Sequence, residues 1–328
     1  MTDLTSREIV QKTLNFEGPS RVAHSFAPSD ILSVGPDLPE GEWTELGGGR
    51  WERVDAWGNV WGRVDAHSKG EVVRGALEDL DTVETFPLPD FDQEAVYASA
   101  RAAFAAEPDR WHAGFVHGFS FSMARKLRRL DRYFIDLLQS PEQITMLHDR
   151  IDEQIHHQIR HMAAAGADCI FFAEDWGTQA NMFISPRMWR AEFKPRFVSL
   201  CAAAHDLGLK VFMHSCGKIT SIIPDLIEAG VSVFQFDQPR VHGLDTLAAF
   251  RDEHRVTFWC PVDIQEVLPK SDAELVRREA QTMLDVLWRG EGGFIAGWYP
   301  DPPALGITAE WQAMANEVFL THGTSVKN

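Results

Sequence analysis

The 328-residue sequence has few cysteines, a deficit of basic residues and no long apolar run. Its four cysteines, at positions 169, 201, 216 and 260, lack the spacing of a disulfide framework, so we expect a reduced, cytoplasmic protein. No apolar run reaches the roughly 18 residues of a membrane span, so we expect no membrane partner. Lys and Arg number 31 against 48 Asp and Glu, and a net charge of -17 repels phosphate backbones, so we expect no nucleic-acid partner.

The chain also lacks features that separate domains or direct secretion. The first 18 residues, MTDLTSREIVQKTLNFEG, carry acidic residues among the apolar ones, so we expect no secretory signal. No linker is rich in Ser, Gly or Pro. We therefore predict a single domain over residues 1–328, with residues 40–75 as an inserted β-hairpin region. Polar and apolar residues alternate between glycine breaks from 47 to 75, which is typical of such a hairpin.

Segments typical of helices and strands alternate from about residue 100 onward, which predicts parallel βα units. One predicted helix begins at Pro141 and is capped by Gly166; its apolar stripe, at steps of three or four, is Ile144, Leu147, Ile151, Ile155, Ile159 and Met162. Further helices are predicted over 185–208, 219–229, 244–253 and 272–289. The predicted strands cover 111–119, 167–177, 209–217, 231–239, 256–263 and 292–300, with an early strand at 21–26. This order indicates an α/β fold, either a barrel or a doubly wound sheet, and the length suits a large barrel domain.

Side chains capable of chemistry gather where these strands end. In parallel βα folds, the active site lies at the carboxyl ends of the strands, so we expect a site at this rim. The candidates, in chain order, are His24, His117, Glu174, Asp175, Trp176, Gln179, His214, Cys216, Asp237, Gln238, Cys260, Asp263, Trp298, Tyr299 and Asp301.

His214 and Cys216 stand two residues apart at one strand end, so their side chains lie on the same side of the strand. Three interpretations are open: a metal site, a cysteine nucleophile with its base, or an ordinary strand end. Imidazole and thiolate both suit zinc, which needs three protein ligands in a catalytic site. Cys260 is the predicted third ligand, with Glu174 or an acid of the last strand as oxygen alternatives.

The other candidates have structural alternatives. Glu174 and Asp175 are adjacent, so on an extended strand only one of them can face inward, and the other caps a turn. Asp237 could orient His214, accept a proton or cap a turn. Asp263 could anchor its loop, and His117 could be a packed histidine or a substrate contact.

Several motifs in sequence order resemble the uroporphyrinogen decarboxylase-like superfamily, and its corrinoid-dependent methyltransferase branch in particular. They are LNFEGPSRV, DAWGNVWGRV, EDWGTQANMFISPRMWRAEFKPRF, VFMHSCGKITSIIPDLIEAGVSVFQFDQP, PVDIQEVLP and GEGGFIAG. The resemblance runs from about residue 7 to 317. It implies a distorted (β/α)8 TIM-type barrel and a funnel where a methyl group moves to or from a corrinoid carried by a separate protein.

Two positions depart from the family pattern. Uroporphyrinogen decarboxylases carry an arginine-rich stretch on the first strand, whereas this chain has Arg21 alone in RVAHSFAPSDI. Zinc-dependent thiol methyltransferases of the group use His-x-Cys, matched by His214 and Cys216, and a cysteine after the last strand, which is absent here. The resemblance therefore implies either zinc with a substitute ligand, such as Cys260, Glu174 or Asp301, or the loss of zinc.

The predicted function is methyl transfer between a small methylated substrate, such as a methoxylated aromatic, and a separate corrinoid protein. Glu174, Asp237, Tyr299 and His117 are the predicted catalytic residues; Trp176, Gln179, Gln238, Phe236, Trp298 and His24 are the predicted substrate contacts. The alternatives are a decarboxylase of another carboxylate, a methylcobalamin-dependent thiol methyltransferase, and a binding protein without activity. A decarboxylase would need a cationic pocket, for which Arg21, Arg63, Arg125 and Arg190 are the only apparent sources.

Overall fold

The computed structural model describes residues 4–66, 68–301 and 305–325. The α-helices in these ranges are α1 (Ser6–Asn15), α2 (Ala98–Ala106), α3 (Ser120–Leu127), α4 (Leu130–Gln139), α5 (Pro141–Ala165), α6 (Pro186–Glu192), α7 (Lys194–Asp206), α8 (Ile223–Ala229), α9 (Leu244–His254), α10 (Ala273–Met283) and α11 (Ala309–His322). The strands are β1 (Ala23–His24), β2 (Ile31–Val34), β3 (Thr44–Gly47), β4 (Arg50–Val54), β5 (Val60–Arg63), β6 (Glu71–Arg74), β7 (Trp111–Phe115), β8 (Cys169–Ala173), β9 (Lys210–His214), β10 (Val233–Gln235), β11 (Thr257–Cys260) and β12 (Phe294–Ala296).

Eight parallel strands form a nearly closed barrel surrounded by helices. Their order around the barrel is β1-β12-β11-β10-β9-β8-β7-β2, so each strand from β7 to β12 lies beside its neighbour in the sequence. The short ladders are in register across the barrel, for example Ala173 with His214 and Gln235 with His214. The prediction of a TIM-type α/β barrel is confirmed, and the doubly wound alternative is excluded.

The gap between β1 and β2 is bridged by one buried carboxylate. The Asp30 backbone N–H donates to the His24 carbonyl, and the His24 N–H donates to Asp30 Oδ2, each at 2.9 Å. Arg21 donates to both carboxylate oxygens of Asp30, at 2.7 and 2.6 Å. Arg21, which the sequence offered as a cation for a decarboxylase, is therefore engaged in closing the barrel.

The predicted hairpin region contains a four-stranded antiparallel sheet, in the order β3-β4-β5-β6. Asp55 fixes the turn between β4 and β5, because its carboxylate accepts the N–H groups of Trp57 and Asn59 and the indole N–H of Trp61. The Arg63 guanidinium lies 4.2 Å from the centre of the Trp43 ring. Arg63, a second cation considered for a decarboxylase, packs on tryptophan in this sheet.

The helix predicted from Pro141 is confirmed, whereas the single helix predicted over 185–208 is wrong. Helix α5 begins at Pro141 and ends at Gly166, which has a φ of 100°, and its predicted apolar stripe is buried. The predicted helix 185–208 is two helices, α6 and α7. They separate at Phe193 because Pro195, in the first turn of α7, cannot donate a hydrogen bond back into α6. No helix in the described ranges is both long and apolar enough to cross a membrane.

Candidate functional site

His214, Cys216 and Asp175 meet at the carboxyl ends of β8 and β9. The Cys216 sulfur and the Asp175 carboxylate oxygen Oδ1 each lie 3.4 Å from His214 Nε2. The Cys216 backbone N–H also donates to Asp175 Oδ1 at 2.8 Å, which holds the carboxylate against the next loop. One ligand atom from each residue lies within 4.8 Å of the other two, and no other such group of three or more is found among the described residues.

The loops after β8 and β9 are held together by two glycines. A side chain at Gly217, whose φ is +74°, would place its Cβ 2.2 Å from the Gly177 carbonyl oxygen. A Cβ at Gly177 would lie 2.6 Å from the Lys218 nitrogen. Both positions therefore require glycine, and the close approach of the two loops brings Asp175 to Cys216.

Gln235 and Asp237, at the end of β10, support His214 from behind. His214 Nδ1 donates a short hydrogen bond to Gln235 Oε1, and Gln235 Nε2 donates to Asp237 Oδ1 at 2.8 Å. Because Nδ1 carries the proton, the Nε2 lone pair of neutral His214 points toward Cys216 and Asp175. This tautomer and this second hydrogen bond are typical of metal-ligating histidines.

Acidic neighbours dominate the electrostatics of this group. Burial lowers the pKa of His214, but Asp175, Cys216 and the charge of Asp237 outweigh burial, and the pKa is well above that of an ordinary histidine. Burial raises the pKa of Asp175, but its contact with His214 and the Cys216 N–H lower it overall. The group therefore stabilises positive charge at its centre.

The donor set fits a zinc ion. Bonds of about 2.1 Å in a tetrahedral site place neighbouring ligand atoms about 3.4 Å apart, and imidazole nitrogen, thiolate sulfur and carboxylate oxygen are the ligands that zinc accepts. The two separations of 3.4 Å around His214 Nε2 match this geometry. Three protein ligands leave a fourth position for a reactant.

Comparisons with known proteins identify the family. The uroporphyrinogen decarboxylase (URO-D) family model matches residues 66–298. The chain belongs to the uroporphyrinogen decarboxylase family. No curated protein matches the chain as a sequence.

Two solved structures are similar to this family member at low sequence identity. A methyltransferase from Methanosarcina mazei is 13% identical with a TM-score of 0.61, over 97% of this chain and 85% of that one. A B12-independent methionine synthase from Shewanella sp. W3-18-1, in complex with selenomethionine, is 10% identical with a TM-score of 0.46, over 96% and 86% of the two chains. The likeness to the Methanosarcina methyltransferase concerns the fold alone.

Cys260 lies outside the Asp175–His214–Cys216 group of this family member. Its thiol ends β11 in a fully buried position, and burial raises its pKa far above that of a free cysteine. Asp301 is also elsewhere, with its carboxylate 3.8 Å from Lys69. The structure therefore places Asp175, rather than Cys260 or Asp301, beside the His-x-Cys pair.

Glu174 and Trp176 lie on the opposite side of the chain from Asp175. Both carboxylate oxygens of Glu174 are buried and accept no hydrogen bond of good geometry from the described residues. Burial raises the pKa of Glu174 to about 8. The Trp176 ring is fully buried and stacks on Phe121 at 4.1 Å, so this predicted substrate contact packs in the core. Residues 174–176 follow the end of β8, so the packing of this loop sets both positions.

The aromatic candidates Phe236, Trp298 and Tyr299 differ in their surroundings. The Phe236 ring is buried and lies 4.4 Å from the His242 ring, in the layer between barrel and helices. Phe236 is thus a core residue and not the predicted substrate contact. Trp298 is half-buried at the rim. The Tyr299 backbone is held by the Gln312 side chain, and burial raises the pKa of its phenol.

Five further predicted residues have structural partners. The His24 ring stacks on Phe26 at 4.1 Å within the barrel closure, and His117 Nε2 lies 3.3 Å from the Pro36 carbonyl. Gln179 donates to Gln238 across two loops at 2.8 Å. Asp263 accepts backbone N–H groups of Arg240, Gln265 and Glu266, so it anchors its loop, as one sequence interpretation proposed.

Sequence reasoning missed two contributions to the site. Gln235 gave no signal, because one glutamine inside an apolar strand has no characteristic spacing. Arg125 was considered without a location at a strand end, and Lys126 was not considered. Both lie near the end of α3, and Arg125 Nη2 is 4.0 Å from Asp175 Oδ2. Only the packing of α3 against the barrel rim brings them there.

Proposed function

We propose that this protein is a methyltransferase that moves a methyl group between a small methylated substrate, such as a methoxylated aromatic, and a corrinoid carried by a separate protein. The observation that carries the proposal is the Asp175–His214–Cys216 group, with 3.4 Å separations at the barrel rim. Family membership and the shared fold of the Methanosarcina methyltransferase support it.

The reaction requires a stabilised leaving group. In demethylation, the C–O bond breaks with both electrons staying on oxygen, and cobalt(I) supplies the electron pair of the new C–Co bond. The oxygen must therefore receive a proton or contact a cation. A zinc ion held by Asp175, His214 and Cys216 would supply Lewis acidity at this oxygen.

The surrounding residues have distinct tasks in this proposal. Gln235 orients His214, and Asp237 orients Gln235 in turn, so both position a ligand and neither touches the substrate. Tyr299 keeps its proton at neutral pH and is the proposed proton donor at the rim, where Trp298 helps to exclude water. Glu174, whose pKa of about 8 also keeps it protonated, is a second acid behind the group.

A decarboxylase acting on another carboxylate is the second candidate. Arg190 is engaged with Asp225 at 2.9 Å, and Arg21 with Asp30. Arg125 and Lys126 are the observation that favours this candidate, since they bring positive charge to the rim next to Asp175. A decarboxylase would hold a carboxylate there and lose it as carbon dioxide.

One assay separates the two functions. The zinc-loaded protein is incubated with cob(I)alamin, in place of the corrinoid protein, and with para-methoxybenzoate or related methoxylated aromatics. The proposal predicts that the cob(I)alamin absorption is replaced by that of methylcobalamin in the wild type, with a loss of at least about 100-fold in His214→Ala. Carbon dioxide release without methylcobalamin from the same compounds would overturn the methyltransferase and support the decarboxylase.

A further inference from the structure

Two cationic side chains lie beside the Asp175–His214–Cys216 group. Arg125 and Lys126 are consecutive residues near the end of α3, and both are half-buried. Arg125 Nη2 lies 4.0 Å from Asp175 Oδ2. Lys126 lies close enough to Asp175 for the carboxylate charge to act on its ammonium group, although burial is the larger effect and lowers its pKa.

Neither cation has the partners that a half-buried charge normally has. Arg125 Nε is buried without a hydrogen-bond acceptor, and its distant contact with Asp175 is its only ion pair in the described chain. Lys126 Nζ has no hydrogen bond or ion pair to any described residue, and its contact is with the Trp61 ring, at 5.5 Å from the ring centre. Charges removed from water without partners destabilise a fold, and such residues are concentrated in binding sites.

The inserted sheet forms the other wall of this region. Trp61, on β5, is fixed because its indole N–H donates to Asp55 Oδ2 at 2.7 Å. The Asp55 carboxylate also accepts from Trp57 and Asn59, so its hydrogen-bonding capacity is already used within the turn. Asp55 therefore acts on Lys126 only from a distance, and the ammonium group remains available to a ligand.

We propose that Arg125 and Lys126 bind a carboxylate group of the substrate, and that this contact directs the methyl-bearing part of the same molecule toward the Asp175–His214–Cys216 group. The position of the methyl group rests on the proposed function; the carboxylate site does not. One guanidinium and one ammonium suit a single negative charge. A phosphate dianion would meet more repulsion from Asp175.

The experiment measures binding without turnover. Quenching of tryptophan fluorescence gives the Kd of para-methoxybenzoate and of para-methoxybenzamide, its neutral counterpart, in the wild type, K126M, K126Q and K126R. We expect the wild type to bind the carboxylate at least about 10-fold more tightly than the amide. K126M and K126Q should lose this preference while amide binding is retained, and K126R should restore most of it.

Lys270 provides the matched control, because it is exposed and paired with Glu266 at 3.6 Å. K270M should bind both probes as the wild type does. Equal affinity of the wild type for acid and amide, or an unchanged preference in K126M and K126Q, would overturn the carboxylate site. If K126M loses the preference and the wild type forms no methylcobalamin, the carboxylate site is supported and the methyltransferase is not. If the wild type transfers the methyl group but shows no carboxylate preference, the methyltransferase is supported and the carboxylate site is not.

Discussion

Gln235 determines which nitrogen of His214 faces Cys216 and Asp175. The imidazole can carry its proton on either nitrogen, and only the form protonated at Nδ1 leaves Nε2 free as a ligand. Gln235 Oε1 accepts from Nδ1, while Asp237 fixes the amide by accepting from Gln235 Nε2. Gln235 carries no charge and thus acts on the His214 imidazole through its hydrogen bond alone.

Replacing Gln235 tests this role at the scale of one residue. We expect Gln235→Ala to lower zinc affinity by about 10- to 100-fold, the usual effect of removing a hydrogen bond from a ligating histidine. Competition with a chromophoric chelator measures the affinity. Gln238→Ala is the matched control, because Gln238 pairs with Gln179 and not with His214. Equal zinc affinity in the two variants would show that Gln235 does not position the ligand.

The Asp30 side chain joins β1 to β2, the two strands between which the barrel has no backbone ladder. β1 has only the residues Ala23–His24, and its ladder partner is β12. On the other side, Asp30 replaces the missing ladder by joining the His24 backbone to Arg21. Its side chain is 1% exposed, so the carboxylate is a buried charge that Arg21 compensates.

Asp30→Ala should therefore destabilise the protein by about 3 kcal/mol, since removing one member of a buried pair leaves the other uncompensated. Urea unfolding at pH 7 measures the change. Burial raises the pKa of Asp30, but the hydrogen bonds of Arg21 lower it overall. A carboxyl group with a lowered folded pKa stabilises the fold above its unfolded pKa, and this contribution is lost as the pH falls. The difference between wild type and variant should therefore shrink below about pH 4.

Asp131 is the control for this pair, because it forms an exposed ion pair with Arg129 at 2.8 Å. Asp131→Ala should leave the unfolding midpoint nearly unchanged, as exposed pairs contribute little. If Asp30→Ala and Asp131→Ala unfold at the same urea concentration, Asp30 does not close the barrel.

Helices and strands were predictable from the sequence where the apolar repeat was long or a capping residue marked the end. Helix α5 and its cap at Gly166 followed from an apolar stripe at steps of three and four. β2 was missed, because the four residues of ILSV carry no repeat long enough to distinguish a strand. The predicted strands were too long by several residues, since the apolar run continues into the loops that carry the site; the segment 231–239 contains only the three-residue strand β10.

The net charge of the whole molecule acts in opposite ways on two classes of ligand. With 48 acidic and 31 basic residues, the chain attracts cations and repels anions over a distance limited by salt. The proposed metal site at the rim would benefit from this field. An anionic substrate must overcome it, which explains the value of placing Arg125 and Lys126 directly at the proposed binding site.

The location of the site was predictable from the sequence, but its full composition was not. Parallel βα order places strand ends at one rim, and the spacing of His214 and Cys216 puts both side chains on one face. The third member depended on which of two adjacent acids faces inward. The sequence predicted Cys260 as third ligand, with Glu174 or an acid of the last strand as the oxygen alternatives. In the structure, the contact between Gly177 and Gly217 brings Asp175 to Cys216. Only the three-dimensional packing of the two loops decides this.

The zinc content of five matched proteins tests whether Asp175, His214 and Cys216 together bind a zinc ion. The wild type, Asp175→Ala, His214→Ala, Cys216→Ala and Cys260→Ala are dialysed against zinc with a competing chelator and measured by elemental analysis. We expect about one zinc ion per chain in the wild type and in Cys260→Ala, and far less in the other three. A wild type that retains no zinc, or zinc that is lost in Cys260→Ala and kept in Asp175→Ala, would contradict this expectation.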